Sequence, residues 1–322
     1  METLFIDRKG AQLSTDHGRL KMSLDSATQT SLPLTQLRSV VISSDCQLTS
    51  GMLRTLAKQQ ISLICLNNRD PEASFIGANE HAGNIQRKVH QYQLLSQKAH
   101  QIRIARLLVK QKIRHQQQAL THFMDARHDL KNRFKHTKRT LLGLRRSLDK
   151  LKQPKLTLNT ILGIEGAATR QYFDVYRLLF AESLHFTQRN KRPPKDPVNV
   201  LLSLSYTFIH YEAKRACQSH SLEPDLGVLH QPNYNRASLA CDLTELLRCQ
   251  AELWVWQLIR TKTLRLDHFE IKEDACLMTK TGRSHYYHAL AKILPEWRRS
   301  LRQLTGRWAN HIDHFGETYN EH

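Results

Sequence analysis

A histidine and two carboxylates lie in one segment whose apolar residues otherwise follow the pattern of a buried helix. The segment is residues 227–248, GVLHQPNYNRASLACDLTELLR, and its polar candidates are His230, Asp242 and Glu245. Because positions i and i+3 share one face of a helix, Asp242 and Glu245 would project together. They would form either an exposed strip of ion pairs, worth about a few tenths of a kcal/mol, or an acidic face inside a groove. Periodicity does not distinguish these two arrangements.

A second segment places one carboxylate among small and apolar residues. In residues 158–176, LNTILGIEGAATRQYFDVY, Glu165 lies between Gly163 and Gly166. Small neighbours would let another backbone or a sugar-phosphate chain approach this carboxylate closely. The alternative is a residue at the rim of the helix that pairs with a cation such as Arg170.

Taken together, Glu165, His230, Asp242 and Glu245 supply oxygen and imidazole ligands from separate segments. A donor set with carboxylates and no thiolate favours a hard divalent ion, Mg²⁺ or Mn²⁺, and the single imidazole favours Mn²⁺ in vitro. Such an ion polarises a phosphoryl oxygen and stabilises the in-line displacement of one alkoxide by another. The hypothesis is therefore metal-assisted chemistry at a phosphodiester.

The charge of the chain points to a polyanionic partner. The 322 residues contain 48 Lys and Arg against 29 Asp and Glu, a formal net charge of +19 with a pI near 9.9. Residues 86–155 alone carry 19 of these cations and only three acids, Asp125, Asp129 and Asp149. An ordinary solvated helix face would intersperse both signs, so this concentration favours nucleic acid, with an anionic membrane surface as the alternative.

Basic residues of this block recur at spacings that suit phosphate contacts along helices. Each phosphate that they neutralise releases counterions without reading the base sequence. The cations expected to contact DNA are Arg103, Arg106, Lys110 and Lys112, followed by Lys131, Arg133, Lys135, Lys138 and Arg139.

The pattern of apolar runs predicts an α+β protein, with a small β-rich N-terminal domain followed by a larger all-helical C-terminal domain. The runs TLFID, RLKMSL, LRSVVIS and ISLICLN are separated by turn-forming residues, as in strands with hairpin connections. One helix, TSGMLRTLAKQQ, interrupts them, and Thr49 or Ser50 could cap its first turn. We predict domains at 1–80 and 81–322, with a linker over 79–88.

The remaining chain has helical periodicity, interrupted at residues 189–199 and 222–235. The helix VNVLLSLSYTFIHYEAKRAC is nearly apolar in its first half and should lie inside the bundle, with Tyr206 on it. No apolar run is long enough to cross a membrane, and six scattered cysteines show no metal or disulfide spacing. We expect a soluble, intracellular protein with reduced cysteines.

The order of several motifs strongly resembles the CRISPR-associated integrase family, the DNA-inserting subunit of spacer acquisition. The motifs are ILGIEGAATRQYF, RNKRPPKDPVNVLLSLSYTFIHYEAKRAC, DLGVLHQPNYNRASLACDLTELLR and LMTKTGR. The resemblance implies that Glu165, His230 and Glu245 hold the ion while Asp242 sits beside them. It also implies transesterification, in which the 3′-hydroxyl of a short duplex attacks a phosphodiester at a repeat boundary. With water in place of the hydroxyl, the same site acts as a nuclease.

The resemblance further implies the partners and the location of the protein. The β-rich domain would mediate a homodimer, and the dimer would bind double-stranded and branched DNA and a small ferredoxin-like adaptor subunit in a prokaryotic cytoplasm. Tyr206 and Arg248 are candidates for supporting or DNA-contacting roles, and Lys280 and Arg283 of MTKTGR are candidates for phosphate contacts. The competing hypotheses are a non-catalytic basic DNA-binding scaffold and an RNA-binding helical module. The RNA-binding module is disfavoured because the sequence has neither an RNP-type aromatic strand nor a GXXG loop in a suitable context.

Overall fold

The computed structural model has the predicted α+β order, with strands in the N-terminal region followed by helices. It describes residues 2–24, 28–67, 74–77, 83–152, 154–190, 193–234, 236–273 and 275–320. The chain divides into two compact units. The first contains Met1–Glu80, Arg192–Val200 and Thr263–Pro295, and the second contains His81–Lys191, Leu201–Lys262 and Glu296–His322.

The strands lie almost entirely in the N-terminal region, and a single late hairpin adds two more in the described chain. In order they are β1 (Glu2–Ile6), β2 (Gln12–Asp16), β3 (Arg19–Leu24), β4 (Thr28–Pro33), β5 (Leu37–Ile42), β6 (Gln47–Leu48), β7 (Ser62–Cys65), β8 (Phe75–Gly77), β9 (Phe269–Lys272) and β10 (Ala275–Met278).

Two four-stranded sheets form the first unit, and their pairing is more varied than simple hairpins. One sheet has the order β1-β5-β7-β8, in which β1, β5 and β7 pair in parallel and β8 is antiparallel to β7. The other has the order β4-β3-β2-β6, with an antiparallel meander of β2, β3 and β4. The hairpin expectation therefore holds for the meander and not for the parallel pairs, which need longer crossovers.

Helix α1 (Ser50–Lys58) supplies one of these crossovers, between β5 and β7. The hydroxyl of Thr49 accepts a hydrogen bond from the backbone N–H of Met52 at 3.1 Å, which confirms the predicted cap. Met52 and Leu56 on its buried face join the core formed by residues such as Leu13, Val40 and Leu63.

A later part of the chain completes the first unit. The β9–β10 hairpin, which the sequence pattern did not predict, pairs Phe269 with Met278. The guanidinium of Arg283 lies 2.7 Å from the carboxylate of Asp7, and the rings of Phe5 and Tyr287 stack with centroids 4.8 Å apart.

Long helices make up the second unit. They are α2 (Ile85–Ser96), α3 (Lys98–Ala126), α4 (Lys131–Lys150), α5 (Leu158–Tyr176), α6 (Pro197–Ser219), α7 (Ser238–Arg260) and α8 (Lys280–Asn320), of which α6 and α8 have residues in both units. The predicted linker overlaps α2, which begins at Ile85, and residues 79–82 lie outside the described ranges.

Helix α3 is central to the second unit because it contacts α4, α5 and α7. Aromatic side chains fill the space among these helices, and the rings of Phe123 and Trp256 meet edge to face at 5.1 Å. The six cysteines are free thiols. Within the described ranges, no helix combines the length and the apolar character needed to cross a membrane.

Candidate active site

A buried lysine joins two of the three carboxylates that the sequence singled out. The ammonium of Lys112, on α3, donates hydrogen bonds to Oε1 of Glu165 on α5 and, at 2.5 Å, to Oε2 of Glu245 on α7. The side chains of Lys112, Glu165 and Glu245 are only 5%, 19% and 11% exposed. Three helices thus bring their charges to one point.

The position of Lys112 on α3 explains its burial. It follows Val109 and precedes Ile113 and Gln116 on the stripe of α3 that faces the other helices. A lysine is almost never fully buried without a partner, because an unpaired charge in a low-dielectric interior is costly. The sequence reading grouped Lys112 with the DNA-contacting cations, and the structure instead buries it. The position of Lys112 on a largely apolar stripe was the signal in the sequence that could have indicated its burial.

Glu245 lies between two cations. Its Oε1 is 2.8 Å from Nε of Arg248, and its Oε2 accepts from Lys112. Burial would raise the pKa of Glu245, but Arg248 and Lys112 lower it to about 2. Burial likewise opposes the charge of Lys112, yet Glu245 and Glu165 raise the pKa of its ammonium above the ordinary value. Glu245, Lys112 and Arg248 are therefore charged at neutral pH.

Asp242 has different partners from Glu245, although both lie on α7. Its buried carboxylate accepts the backbone N–H groups of Val228, Leu229 and His230 at 2.6, 3.0 and 3.0 Å. It also lies 2.7 Å from Nδ1 of His230. The carboxylate holds the backbone before α7 and orients the imidazole, so that Nε2 is the nitrogen left to act as a ligand or base.

The backbone at Gly227 packs tightly in the same turn. A Cβ at this position would lie 2.4 Å from the carbonyl oxygen of His230 and 2.6 Å from the carbonyl carbon of Ser238. By contrast, a Cβ at Gly163 or Gly166, beside Glu165, would meet no atom within 4 Å. Both glycines lie on the exposed side of α5, and the close approach of another chain to Glu165 stays a prediction.

The ring of Tyr206 packs against the guanidinium of Arg248. The guanidinium carbon of Arg248 lies 4.5 Å from the ring centroid of Tyr206, and the Tyr206 hydroxyl donates to Oε1 of Glu252 at 2.6 Å. Tyr206 is 7% exposed and Glu252 is buried, and burial raises the pKa of the Glu252 carboxyl. This arrangement favours a supporting role for Tyr206 over direct contact with DNA.

Apart from Lys112, Arg248 and Tyr206, the predicted DNA-contacting residues that the structure describes have other surroundings. On α3, Arg103 is exposed, Arg106 is partly exposed, and Nζ of Lys110 is 2.5 Å from Asp149. In the first unit, Lys280 is exposed at the start of α8, while Arg283 pairs with Asp7 and donates to the carbonyl of Met278.

Metal coordination by Glu165, His230 and Glu245 stays a prediction. In the part of the chain that the structure describes, no three His, Cys, Asp or Glu side chains form a group ready to hold an ion. Glu165 and Glu245 accept hydrogen bonds from Lys112, and the imidazole of His230 is hydrogen-bonded to Asp242. His230 is nevertheless close enough to Glu245 to interact with it electrostatically.

The same architecture occurs in solved structures. A CAS1 protein from Thermotoga maritima aligns with a TM-score of 0.82 and 18% identity, covering 97% of each chain. A casposase bound to integration product aligns with a TM-score of 0.82 and 19% identity, over 97% of this chain and 90% of the other. A chain of a Cas6-RT-Cas1–Cas2 complex aligns with a TM-score of 0.81 and 23% identity, over 98% of this chain and 35% of the other. At these identities the likeness defines the fold, which is the Cas1 fold.

Sequence comparison then identifies the family. The family model of CRISPR associated protein Cas1 matches residues 4–292. A CRISPR-associated endonuclease Cas1 of Thermodesulfovibrio yellowstonii is 32% identical over 98% of this chain and 96% of its own length. The chain therefore belongs to the Cas1 family of CRISPR-associated proteins, as the motifs predicted.

We predict that Gly227→Ala destabilises the protein by about 2 kcal/mol or more, since the added methyl group overlaps backbone atoms of the His230 turn. Urea denaturation followed by circular dichroism measures this loss. Gly166→Ala is the control, because its methyl group meets open space within α5 and should stabilise the helix by up to about 1 kcal/mol. Equal effects of the two substitutions would contradict the assignment of Gly227.

We also predict that Glu245→Gln destabilises the metal-free protein in a pH-dependent way. The folded pKa of about 2 lies below the ordinary value of 4.5, so ionised Glu245 stabilises the fold above pH 4.5 and loses this effect as the pH falls toward 2. The shift corresponds to about 3 kcal/mol at pH 7. The difference in unfolding free energy between wild type and variant, measured with a chelator present, should shrink from pH 5 to pH 3.

The control for this experiment is Glu182→Gln, which removes the charge of an exposed carboxylate elsewhere in the second unit. It should change the unfolding free energy by less than about 0.5 kcal/mol. A pH-independent effect of Glu245→Gln would show that its charge does not stabilise the fold.

Proposed function

We propose that this protein is a metal-dependent DNA endonuclease and integrase of CRISPR adaptation, which inserts short DNA duplexes into the repeat array. The observation that carries the proposal is the convergence of Glu165 and Glu245, from separate helices, on one cation. Membership of the Cas1 family and the endonuclease name of its relative support the same activity.

The residues at this point suit a divalent metal ion. Two carboxylates that already converge on an ammonium can converge on another cation, and carboxylate and imidazole are donors that Mg²⁺ and Mn²⁺ accept. Glu165, His230 and Glu245 would hold the ion. When bound, it supplies Lewis-acid polarisation of the scissile phosphate and stabilises the in-line displacement.

The chain's own groups complete the site in specific ways. Asp242 fixes the imidazole of His230 by accepting from Nδ1, which directs Nε2 away from the backbone turn. Arg248 is held by Glu245 and by the face of Tyr206, so its charge stays beside the reacting phosphate. The open surface next to Glu165 provides room for the sugar-phosphate chain.

The reaction would be a transesterification. A DNA 3′-hydroxyl attacks the phosphorus of a phosphodiester, a new P–O bond forms, and the 3′-oxygen of the attacked strand leaves with a proton. One phosphodiester replaces another, so the step needs no ATP. With water as the nucleophile, the same site hydrolyses DNA. The structure described as a casposase bound to integration product has this fold and supports strand transfer as the reaction class.

The binding partners follow from the basic arm, defined as the exposed cations of α3 and α4. Arg103, Arg114, Lys131, Arg133 and Lys135 are exposed there and would bind phosphates of double-stranded or branched DNA. A homodimer would present two such arms. The Cas6-RT-Cas1–Cas2 complex contains a chain with this fold, which supports an adaptor subunit of the Cas2 type as a partner.

The metal-site prediction is that Glu165→Ala, His230→Ala and Glu245→Ala each abolish Mn²⁺-dependent cleavage and strand transfer on branched DNA, while DNA affinity changes less than about three-fold. Gel assays of cleavage and fluorescence anisotropy of binding measure the two properties. Glu182→Ala, at an exposed site, should keep both. A wild-type protein that binds branched DNA and leaves it intact would support the scaffold hypothesis instead.

The basic-arm prediction is that Arg103→Glu combined with Arg114→Glu weakens DNA binding and flattens its salt dependence. Each lost phosphate contact should reduce the slope of log affinity against log salt by about 0.9 for duplex DNA. Arg299→Glu, combined with Arg302→Glu, is the control because these exposed residues of α8 lie outside the arm and remove the same charge. An equal loss in both double variants would show that net charge, and not the arm, governs binding.

A further inference from the structure

We propose that Lys112 exchanges partners during the reaction cycle, pairing with Glu165 and Glu245 before metal binds and with a DNA phosphate afterwards. This inference rests on the proposed function, because it concerns the same site. It assigns Lys112 as a substrate-contacting residue and predicts that metal and DNA bind with strong mutual dependence.

The first support is that the ammonium uses the oxygens that a metal ion needs. Lys112 contacts Oε1 of Glu165 and Oε2 of Glu245, one oxygen from each carboxylate. Two cations cannot occupy this position together, because their repulsion at contact distance in a buried site is large. Metal binding by these carboxylates therefore requires that Lys112 move.

The second support is the balance of charge. Lys112 and Arg248 contribute two formal positive charges, and Glu165 and Glu245 two formal negative charges, so these four ion-paired side chains sum to zero; Glu252 nearby accepts a hydrogen bond from Tyr206. A divalent ion added alone would leave two uncompensated positive charges in a site with little access to water. Phosphodiester groups supply the missing negative charge. The ion is thus expected to bind well only together with DNA.

The third support is the difference in freedom between the two cations. Arg248 is held by Glu245 and lies over the ring of Tyr206. Lys112 has a flexible four-carbon stem whose ammonium hydrogen bonds are all to the two metal-site carboxylates among the described contacts. The helix surface on the flank next to Glu165 is open at Gly166. Lys112 is the cation that can turn toward a phosphate arriving there.

A purely structural lysine would behave differently. If Lys112 only neutralised the carboxylates, its removal would change the stability of the protein and its metal affinity. Both changes would be the same in the presence and in the absence of DNA. Partner exchange instead predicts a change in the coupling between metal and DNA, and coupling between two ligands is reciprocal.

The test uses Lys112→Met, which removes the charge and retains an apolar side chain. Lys110→Met is the matched control, since Lys110 lies on the same helix and pairs with the exposed Asp149. Mn²⁺ affinity is measured by electron paramagnetic resonance, with and without a branched DNA whose 3′ ends are dideoxy-terminated to prevent strand transfer. DNA affinity is measured by anisotropy with and without Mn²⁺.

In wild type and in Lys110→Met, DNA should tighten Mn²⁺ binding by about ten-fold or more, and Mn²⁺ should tighten DNA binding by the same factor. In Lys112→Met, Mn²⁺ should bind about ten-fold more tightly without DNA, and the coupling should fall below about three-fold. Lys112→Arg, which keeps the positive charge, should retain the wild-type coupling. Lys112→Arg is also the test protein if Lys112→Met does not fold. Loss of the coupling between Mn²⁺ and DNA binding in Lys112→Arg would overturn the inference.

Unchanged or weaker Mn²⁺ binding by folded Lys112→Met, with the wild-type coupling intact, would overturn the exchange and leave the proposed function standing. Failure of the proposed function has a separate signature. Wild type would then bind no Mn²⁺ that depends on Glu165, even with DNA present, and the exchange would fail with it.

Discussion

The second unit depends on a buried, electrically neutral cluster of charges. Lys112, Glu165, Glu245 and Arg248 come from α3, α5 and α7; Arg248 pairs with Glu245 within α7, whereas Lys112 pairs with Glu165 and Glu245 only across helices. Removing one member of such a cluster typically costs about 3–5 kcal/mol, because the remaining charge stays buried without its partner. Because an unpaired buried charge costs so much free energy, arrangements that separate the four side chains are disfavoured. The geometry of the cluster is therefore specific. Glu165 and Glu245, the carboxylates that we propose as metal ligands, are thereby held together by Lys112.

The two acids of α7 show how burial and partners separate residues that look equivalent in sequence. Asp242 and Glu245 share a helix face, yet Asp242 accepts three backbone N–H groups and the imidazole of His230, while Glu245 faces only cations. The shorter side chain, that of Asp242, uses its carboxylate to hold the backbone of residues 228–230. The longer one reaches into the charged cluster. The spacing of carboxylates in the sequence can therefore locate a candidate site. The hydrogen-bond partners of each carboxylate are needed to distinguish the roles of the residues within it.

Much of the fold was predictable, because strand and helix periodicity and the Thr49 cap are local properties. The parallel pairing of β1, β5 and β7 was not, since it depends on contacts between distant segments. The candidate acids were identified from their apolar surroundings, and their convergence on one lysine was not foreseen. Lys112 lies in a block of 19 cations, where one more lysine looks like surface charge. Only its position on the buried stripe of α3 distinguishes it from its neighbours.

Helix α3 carries two kinds of positive charge, and their environments give them different physical roles. Arg103 and Arg114 are exposed to solvent, where salt screens them within about 8 Å at physiological ionic strength and each contributes modestly to attraction of a polyanion. Lys112 lies on the opposite, buried side, where screening is weak and a single charge decides which ions the site accepts. In our proposals, the exposed cations attract DNA to the helix. The buried Lys112 then leaves Glu165 and Glu245 to pair with a DNA phosphate. One rigid helix can link these events because both charges are fixed to the same backbone.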